Sequence, residues 1–95
     1  MSRTVTFPNP FSAGTGSGVT FRVYLDVPGR PSISVVTLLG ESVATVTGTA
    51  GSGTLLLHWD GRNRAGTYVR PGMYVCDLLL DGRRTGTRVK VAVLR

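Results

Sequence analysis

Cysteine is almost absent from this sequence of 95 residues, which contains only Cys76. A chain with one cysteine forms no internal disulfide, so packing alone must hold the fold together. Cys76 lies in an apolar stretch, and this position predicts a small buried side chain rather than a reactive thiol.

Long apolar runs are also missing. No stretch approaches the ~18 apolar residues that a membrane-spanning helix needs, and residues 1–4 contain no apolar segment of the signal-peptide type. We therefore predict no membrane span. Two locations stay open: the cytoplasm, or the periplasm, cell surface or exterior if the chain is part of a longer exported protein.

Histidine and acidic residues are scarce, which argues against catalytic and metal chemistry. The one histidine, His58, and the one cysteine lie in different stretches, so a zinc site is not expected. Asp60, Asn63 and Asp81 could offer oxygen ligands to calcium, but arginines surround the first two, and turn formation explains all three better. No G-x-S-x-G elbow or phosphate-binding loop is present. We predict no catalytic residue, no metal, no cofactor and no small-molecule substrate, and hence no enzyme.

Basic residues are abundant by comparison, since 11 Lys and Arg against 5 Asp and Glu give a net charge of +6. Such a charge suits an acidic protein, an anionic surface or nucleic acid, or it simply keeps the chain soluble. The arginines are not interleaved with exposed aromatics as in a nucleic-acid groove. We expect a protein partner or self-association, with a basic module for nucleic acid or an anionic surface as the alternative.

The residues that are plentiful favour strands and tight turns. Thirteen Gly and five Pro separate short stretches rich in Val and Thr, several of which alternate apolar and polar residues. We predict a single all-β domain over 1–95, with 1–4 open to being linker: a seven-stranded antiparallel β-sandwich of the immunoglobulin or fibronectin-III type. A flexible linker is predicted over 12–18, and the predicted strands are 4–7, 19–26, 32–39, 41–46, 54–59, 73–80 and 85–94. The predicted core is Phe21, Val23, Ile33, Val35, Leu55, Leu57, Trp59, Tyr74, Cys76, Leu78, Val89 and Val91.

One segment carries more information than the rest, because a strand ends on a large aromatic residue and a loop rich in Asp, Asn and Gly follows. Asp60 is placed to accept backbone N–H groups, and Gly61 and Gly66 suit positive φ. Tyr74 is expected to bury its ring and find a partner for its hydroxyl. The structural motif comprises Trp59, Asp60, Gly61, Asn63, Gly66, Gly72 and Tyr74.

This motif, written W-D-G-R-N-x-x-G-x-x-V-x-x-G-x-Y, resembles the hallmark of the FlgD-type Ig-like domain of flagellar hook-cap proteins. It is also similar to the C-terminal sorting domains of bacterial proteins exported by the type IX route. Asn9-Pro10-Phe11, residues 38–43 (LLGESV) and residues 87–95 (TRVKVAVLR) resemble further elements of the family in the same order. Thr37 stands where the family usually has Asp.

The resemblance implies a non-catalytic structural or adaptor module of an exported bacterial protein. Such a module would act as a scaffold, an anchor or an assembly contact, with oligomer formation as one form of that contact. A type IX sorting domain is the alternative that the same resemblance implies. The family has no catalytic residues to carry over to this chain.

A candidate interaction surface follows from the predicted strands. Outward-facing apolar residues are expected on the fifth and sixth strands and on the third, and Asp77, Arg88 and Lys90 would surround part of them. A strand register that is wrong by one residue would instead turn the apolar side chains inward. The arginines are expected in two basic regions, the loop after Trp59 and the last hairpin. The candidate surface residues are Val36, Leu56, Val75, Leu79, Arg62, Arg64, Arg70, Arg83, Arg84, Arg88 and Lys90.

Overall fold

The structure, a computed structural model, describes residues 3–7, 11–12 and 18–94; for the first two ranges it describes the backbone only. These residues form strands and turns and no helix, which confirms the all-β prediction. The predicted count of seven strands is not confirmed: six strands lie within 18–94, and two short ones precede them. The strands are β1 (Arg3–Phe7), β2 (Phe11–Ser12), β3 (Val19–Gly29), β4 (Pro31–Thr37), β5 (Ser42–Thr47), β6 (Gly51–Trp59), β7 (Gly72–Leu80) and β8 (Arg83–Leu94).

The strands form two sheets that face each other. One sheet has the order β1-β3-β6 and the other the order β2-β8-β7-β4-β5. Neighbouring strands are antiparallel, apart from the two-residue pairing of β2 with β8. Consecutive strands lie in different sheets, except for the pairs β4–β5 and β7–β8. The same exchange between sheets places strands A, B and E opposite C, F and G in immunoglobulin sandwiches.

Alternation of side chains builds the core between the sheets. In β3, Val19, Phe21, Val23 and Leu25 are buried while the residues between them are mostly exposed. The predicted core is buried except for Leu55 and Val89, which are half-buried and pack against it. The prediction missed Val19, Leu25, Ala44 and Val93, which are also buried.

Tight turns join the strands where the backbone needs positive φ. At the β7–β8 turn, Asp81 and Gly82 have φ of 52° and 82°, as in a type I′ hairpin. The Asp81 carboxylate also accepts the N–H of Arg30 at 2.9 Å, which ties this hairpin to the crossover between β3 and β4. At the start of β3, a side chain in place of Gly18 would collide with the carbonyl oxygen of Trp59. Only glycine therefore fits beside the end of β6.

Some predicted boundaries were wrong or fall outside the described residues. The strand predicted over 32–39 ends at Thr37, because Gly40, with φ of 89°, closes a turn that includes Leu38 and Leu39. Ser12 of the predicted linker belongs to β2, and 13–17 lie outside the described residues. Residues 9 and 10 of the N-P-F element, and residues 1 and 2, also lie outside them.

Candidate functional site

Trp59 connects the core to the loop that follows β6. Its side chain is buried, and its indole N–H donates to the carbonyl oxygen of Arg62 at 2.9 Å. Its ring meets the Tyr74 ring edge to face, with centroids 5.9 Å apart and planes at 64°. Such pairs are attractive beyond the area that they bury. The end of β6 and the start of β7 are thus packed against each other through two aromatic side chains.

The loop of residues 60–71 is held by backbone hydrogen bonds, among them Val69 N–H to the Gly61 carbonyl at 2.9 Å, and by its own polar side chains. The Asp60 carboxylate accepts the Arg62 N–H at 3.0 Å. The side-chain oxygen of Asn63 accepts the N–H groups of Ala65 and Thr67, each at 3.0 Å. Gly61 and Gly66 have φ of 85° and 84°, as the motif predicted. Asp60 and Asn63 therefore organise this loop through hydrogen bonds.

Tyr74 closes the loop at its other end. Its hydroxyl donates to the carbonyl oxygen of Arg70 at 2.6 Å. Burial raises the pKa of Tyr74, while the nearby charge of Arg70 acts in the opposite direction. A tyrosine at the start of this strand, bonded to the backbone a few residues upstream, is the tyrosine corner of immunoglobulin-type sandwiches. Its signal in the sequence is Tyr74 two residues before Cys76.

The side chains of Arg62 and Arg64 each make a hydrogen bond within the fold. The Arg62 guanidinium donates to the Tyr68 hydroxyl at 2.9 Å and lies 4.6 Å from the centroid of that ring. This hydrogen bond raises the pKa of Arg62. Arg64 donates to the Ser42 hydroxyl at 2.8 Å, and its backbone N–H donates to the Val43 carbonyl at 3.2 Å. The loop is thereby attached to β5.

The outward side of the five-stranded sheet contains most of the other candidate residues, together with Asp77. We call this surface the outer face. Its members are Val36, Val75, Asp77, Leu79, Arg84, Arg88 and Lys90. The register pairs Val36 with Val75, Val75 with Lys90, Asp77 with Arg88 and Leu79 with Arg84.

The sequence predicted Asp77 at the rim of this surface. In the structure it lies at the centre of the outer face. Its carboxylate accepts from the Arg88 Nε at 2.7 Å, and the side chains of Asp77 and Arg88 are 13% and 58% exposed. This ion pair separates Val75 from Leu79 along β7. Val36, Val75 and Leu79 are each half-buried, so each exposes only part of its apolar side chain.

Leu56 is on the opposite sheet, where it is 65% exposed and paired in register with Arg22. Arg83 is exposed at the start of β8, beside the β7–β8 turn. The candidate residues therefore fall into four regions: the loop after β6, the outer face, the outward side of β6, and the β7–β8 turn.

The histidine and the cysteine lie in different sheets, on β6 and β7. The described residues contain no cluster of three His, Cys, Asp or Glu side chains that could hold a metal ion. His58 is exposed and hydrogen-bonded with the Thr20 hydroxyl at 3.1 Å. Cys76 is buried, and burial raises the pKa of its thiol to about 12. No helix among the described residues has the length and apolar character to cross a membrane.

One feature that the sequence prediction missed lies at the turn between β4 and β5. Leu38 and Leu39 are 63% and 88% exposed, and Leu39 is the most exposed large apolar side chain of those that the structure describes. Two adjacent apolar residues immediately before a glycine turn were the available signal.

Comparisons with known proteins support the fold. No protein-family model matches the sequence, and none of the curated proteins matches it. Among solved structures, the chain is similar to part of PorZ, an essential bacterial surface component of the type IX secretion system of human oral-microbiomic Porphyromonas gingivalis. The TM-score is 0.65 and the sequence identity 21%, over 97% of this chain and 11% of that chain. The chain thus spans about one ninth of PorZ and shares its fold over that part. The hook-cap resemblance stays a prediction.

Proposed function

We propose that this chain is a non-catalytic docking module of an exported bacterial protein, which binds a protein partner or a second copy of itself through the outer face. The fold likeness to part of a bacterial surface component supports an exported, surface-associated host. The buried thiol supports a non-catalytic role, because burial raises its pKa and so disfavours the reactive thiolate.

The observation that carries the proposal is the arrangement of the outer face. Val36 and Val75 are neighbours on adjacent strands, and cationic side chains of β8 border them. The face thus combines arginines with apolar side chains on either side of the Asp77–Arg88 ion pair, and arginine is one of the residue types enriched at protein interfaces. The face lies on β4, β7 and β8, and the first two have paired strands on both sides, so its backbone is rigid. Rigid presentation lowers the ordering cost of binding.

A photo-crosslinking residue placed at Val75 tests this proposal in cells that export the protein. We expect a discrete adduct from position 75, whose mass shows whether the partner is a second copy of this chain or another protein. The matched control is the same residue at Leu56, which is exposed on the opposite sheet. Adducts of equal yield from both positions, or none from position 75, would contradict the proposal.

A second candidate function is a sorting domain for type IX export, which the likeness to a type IX component over 97% of this chain favours. In a bacterium with that route, a reporter with an N-terminal signal peptide and this chain at its C terminus should reach the cell surface. The Trp59→Ala fusion, with its core disrupted, should stay in the periplasm. A wild-type fusion that also stays there would exclude this function.

Nucleic-acid binding receives little support from the described residues. A groove for single strands needs several aromatic faces on which bases stack. The two exposed tyrosines lie on different elements, Tyr24 on β3 and Tyr68 in the loop after β6, and the Arg62 guanidinium lies over the Tyr68 ring. We therefore do not include nucleic acid in the proposal.

A further inference from the structure

The turn between β4 and β5 projects two apolar side chains from one end of the sandwich. Leu38 is 63% exposed and Leu39 is 88% exposed. We call these two residues the dileucine tip. Neither contributes to the buried core, and turn positions are usually occupied by Gly, Pro, Asn, Asp or Ser. Folding therefore does not account for leucine at these two positions.

The backbone beneath the dileucine tip is well fixed. The Thr37 N–H donates to the Glu41 carbonyl and the Gly40 N–H donates to the Thr37 carbonyl, both at 2.9 Å. The Thr37 hydroxyl also accepts the Glu41 N–H at 3.1 Å. Gly40 supplies the positive φ that the turn needs. The leucines are thus presented on a closed turn, and little conformational entropy is left to lose when they bind.

Arginines flank the tip on more than one side. Arg64 reaches Ser42, three residues beyond Leu39. Arg70 lines the same hollow as Thr37 and Glu41, and Arg88 lines another hollow with Leu38. Two acids lie nearby: Glu41, and Asp77, whose charge is paired with Arg88. The balance around the tip is positive, in a chain whose net charge is +6.

We propose that the dileucine tip inserts into the headgroup region of an anionic lipid bilayer while the flanking arginines contact the lipid phosphates. Apolar side chains surrounded by cations have the composition of segments that lie in a membrane interface, and cations near an anionic bilayer are attracted to its surface. A partner protein would need an apolar pocket for this projecting turn, and leucine is under-represented among the residues that dominate protein interfaces. Leu38 and Leu39 are not part of the outer face, with which the flanking arginines share only Arg88, so variants at the leucines test this inference separately from the proposed function.

Cosedimentation of the full chain with lipid vesicles tests this inference. We expect binding to vesicles of phosphatidylcholine mixed with phosphatidylserine, and little binding to phosphatidylcholine alone. The double variant Leu38→Ser/Leu39→Ser should bind at least about tenfold more weakly, because the apolar area is lost. Leu56→Ser, which removes an exposed leucine from the other sheet, is the matched control and should bind like wild type.

Charge variants separate the apolar from the electrostatic part of binding. Arg70→Gln should weaken binding by about fivefold, the effect of one cation at an anionic surface. Added salt should weaken binding further, because the Debye length falls from about 10 Å to about 3 Å between about 0.1 M and 1 M.

A direct readout of insertion uses Leu39→Cys labelled with a polarity-sensitive dye, since Cys76 is buried and unreactive in the native state. Its emission should shift to the blue with anionic vesicles, whereas the emission of the same dye on Thr49→Cys, in the exposed loop before β6, should not change.

Wild type that fails to bind anionic vesicles, or a double serine variant that binds as well as wild type, would overturn the inference. Neither result would affect crosslinking from Val75.

Discussion

The loop of residues 60–71 and the turn of residues 37–41 lie at the same end of the sandwich and use their side chains in opposite ways. In the loop, Asp60 and Asn63 bond to the loop backbone. In the turn, Thr37 alone makes the equivalent side-chain bond, while Leu38 and Leu39 extend into solvent. Exposed loop residues thus reflect the needs of folding. Folding does not explain the exposed leucines of the turn, so they are the stronger candidates for a binding role.

Trp59→Ala should have the largest effect on the loop side of this comparison. It removes a buried indole together with the bond to the Arg62 carbonyl. We expect the free energy of unfolding to fall by about 3–5 kcal/mol, a large share of the about 5–15 kcal/mol of a typical domain. Urea denaturation followed by far-UV circular dichroism measures the change. Leu56→Ala, on the same strand but exposed, should have a free energy of unfolding within about 0.5 kcal/mol of wild type. An equal loss in both variants would refute the assignment of Trp59 to the core.

Asn63→Ala should come next, because one side-chain oxygen accepts two backbone N–H groups in the loop. Without that acceptor we expect a loss of about 1–3 kcal/mol in the free energy of unfolding. Asn63→Asp retains an acceptor of the same shape and should lose much less. If the two variants were equally destabilised, hydrogen bonding by Asn63 would not be what holds the loop.

Tyr74→Phe should cost about 0.5–1.5 kcal/mol, since only the hydroxyl bond to Arg70 is lost and the ring still packs on Trp59. Tyr24→Phe, at an exposed position, is the control. Burial raises the pKa of Tyr74 in the folded state, so the unfolded chain releases its proton first. Stability should therefore fall as pH rises above about 10, and Tyr74→Phe should make that fall shallower. A fall of unchanged steepness would show that Tyr74 does not contribute to it.

Leu38→Ser/Leu39→Ser should have the smallest effect on folding, within about 0.5 kcal/mol of wild type. Thr37→Ala in the same turn should lose about 0.5–1.5 kcal/mol, because the Glu41 N–H loses its side-chain acceptor. Chemical denaturation of the two variants in parallel measures both changes in the free energy of unfolding. If the double serine variant is the less stable of the two, the leucines serve the fold and the contrast with the loop disappears.

Much of the fold could be predicted from the sequence because strand alternation is a local property. The period of two in β3 places Phe21 and Val23 inside without knowledge of any other strand. The positive φ of Gly61 and Gly66 likewise follows from the local motif. Which strands share a sheet depends on long-range pairing, and no short segment contains that information.

The candidate site was less predictable for the same reason. Asp77 was expected at the rim of a surface, and its burial depends on Arg88, eleven residues further along the chain, which covers it from the adjacent strand. The exposure of Leu38 and Leu39 depends on where β4 ends, and the apolar residues themselves extended the predicted strand by two positions. Local sequence patterns give wrong predictions where a polar side chain is buried or an apolar side chain is exposed.

The burial of Cys76 has a consequence for how this module tolerates its surroundings. With the sulfur enclosed and its pKa raised to about 12, oxidants and thiol reagents reach it only when the sandwich opens. The folded state should therefore be the same in reducing and oxidising compartments. The rate at which a thiol reagent labels Cys76 then reports how often β7 separates from its neighbours, in an otherwise unmodified protein.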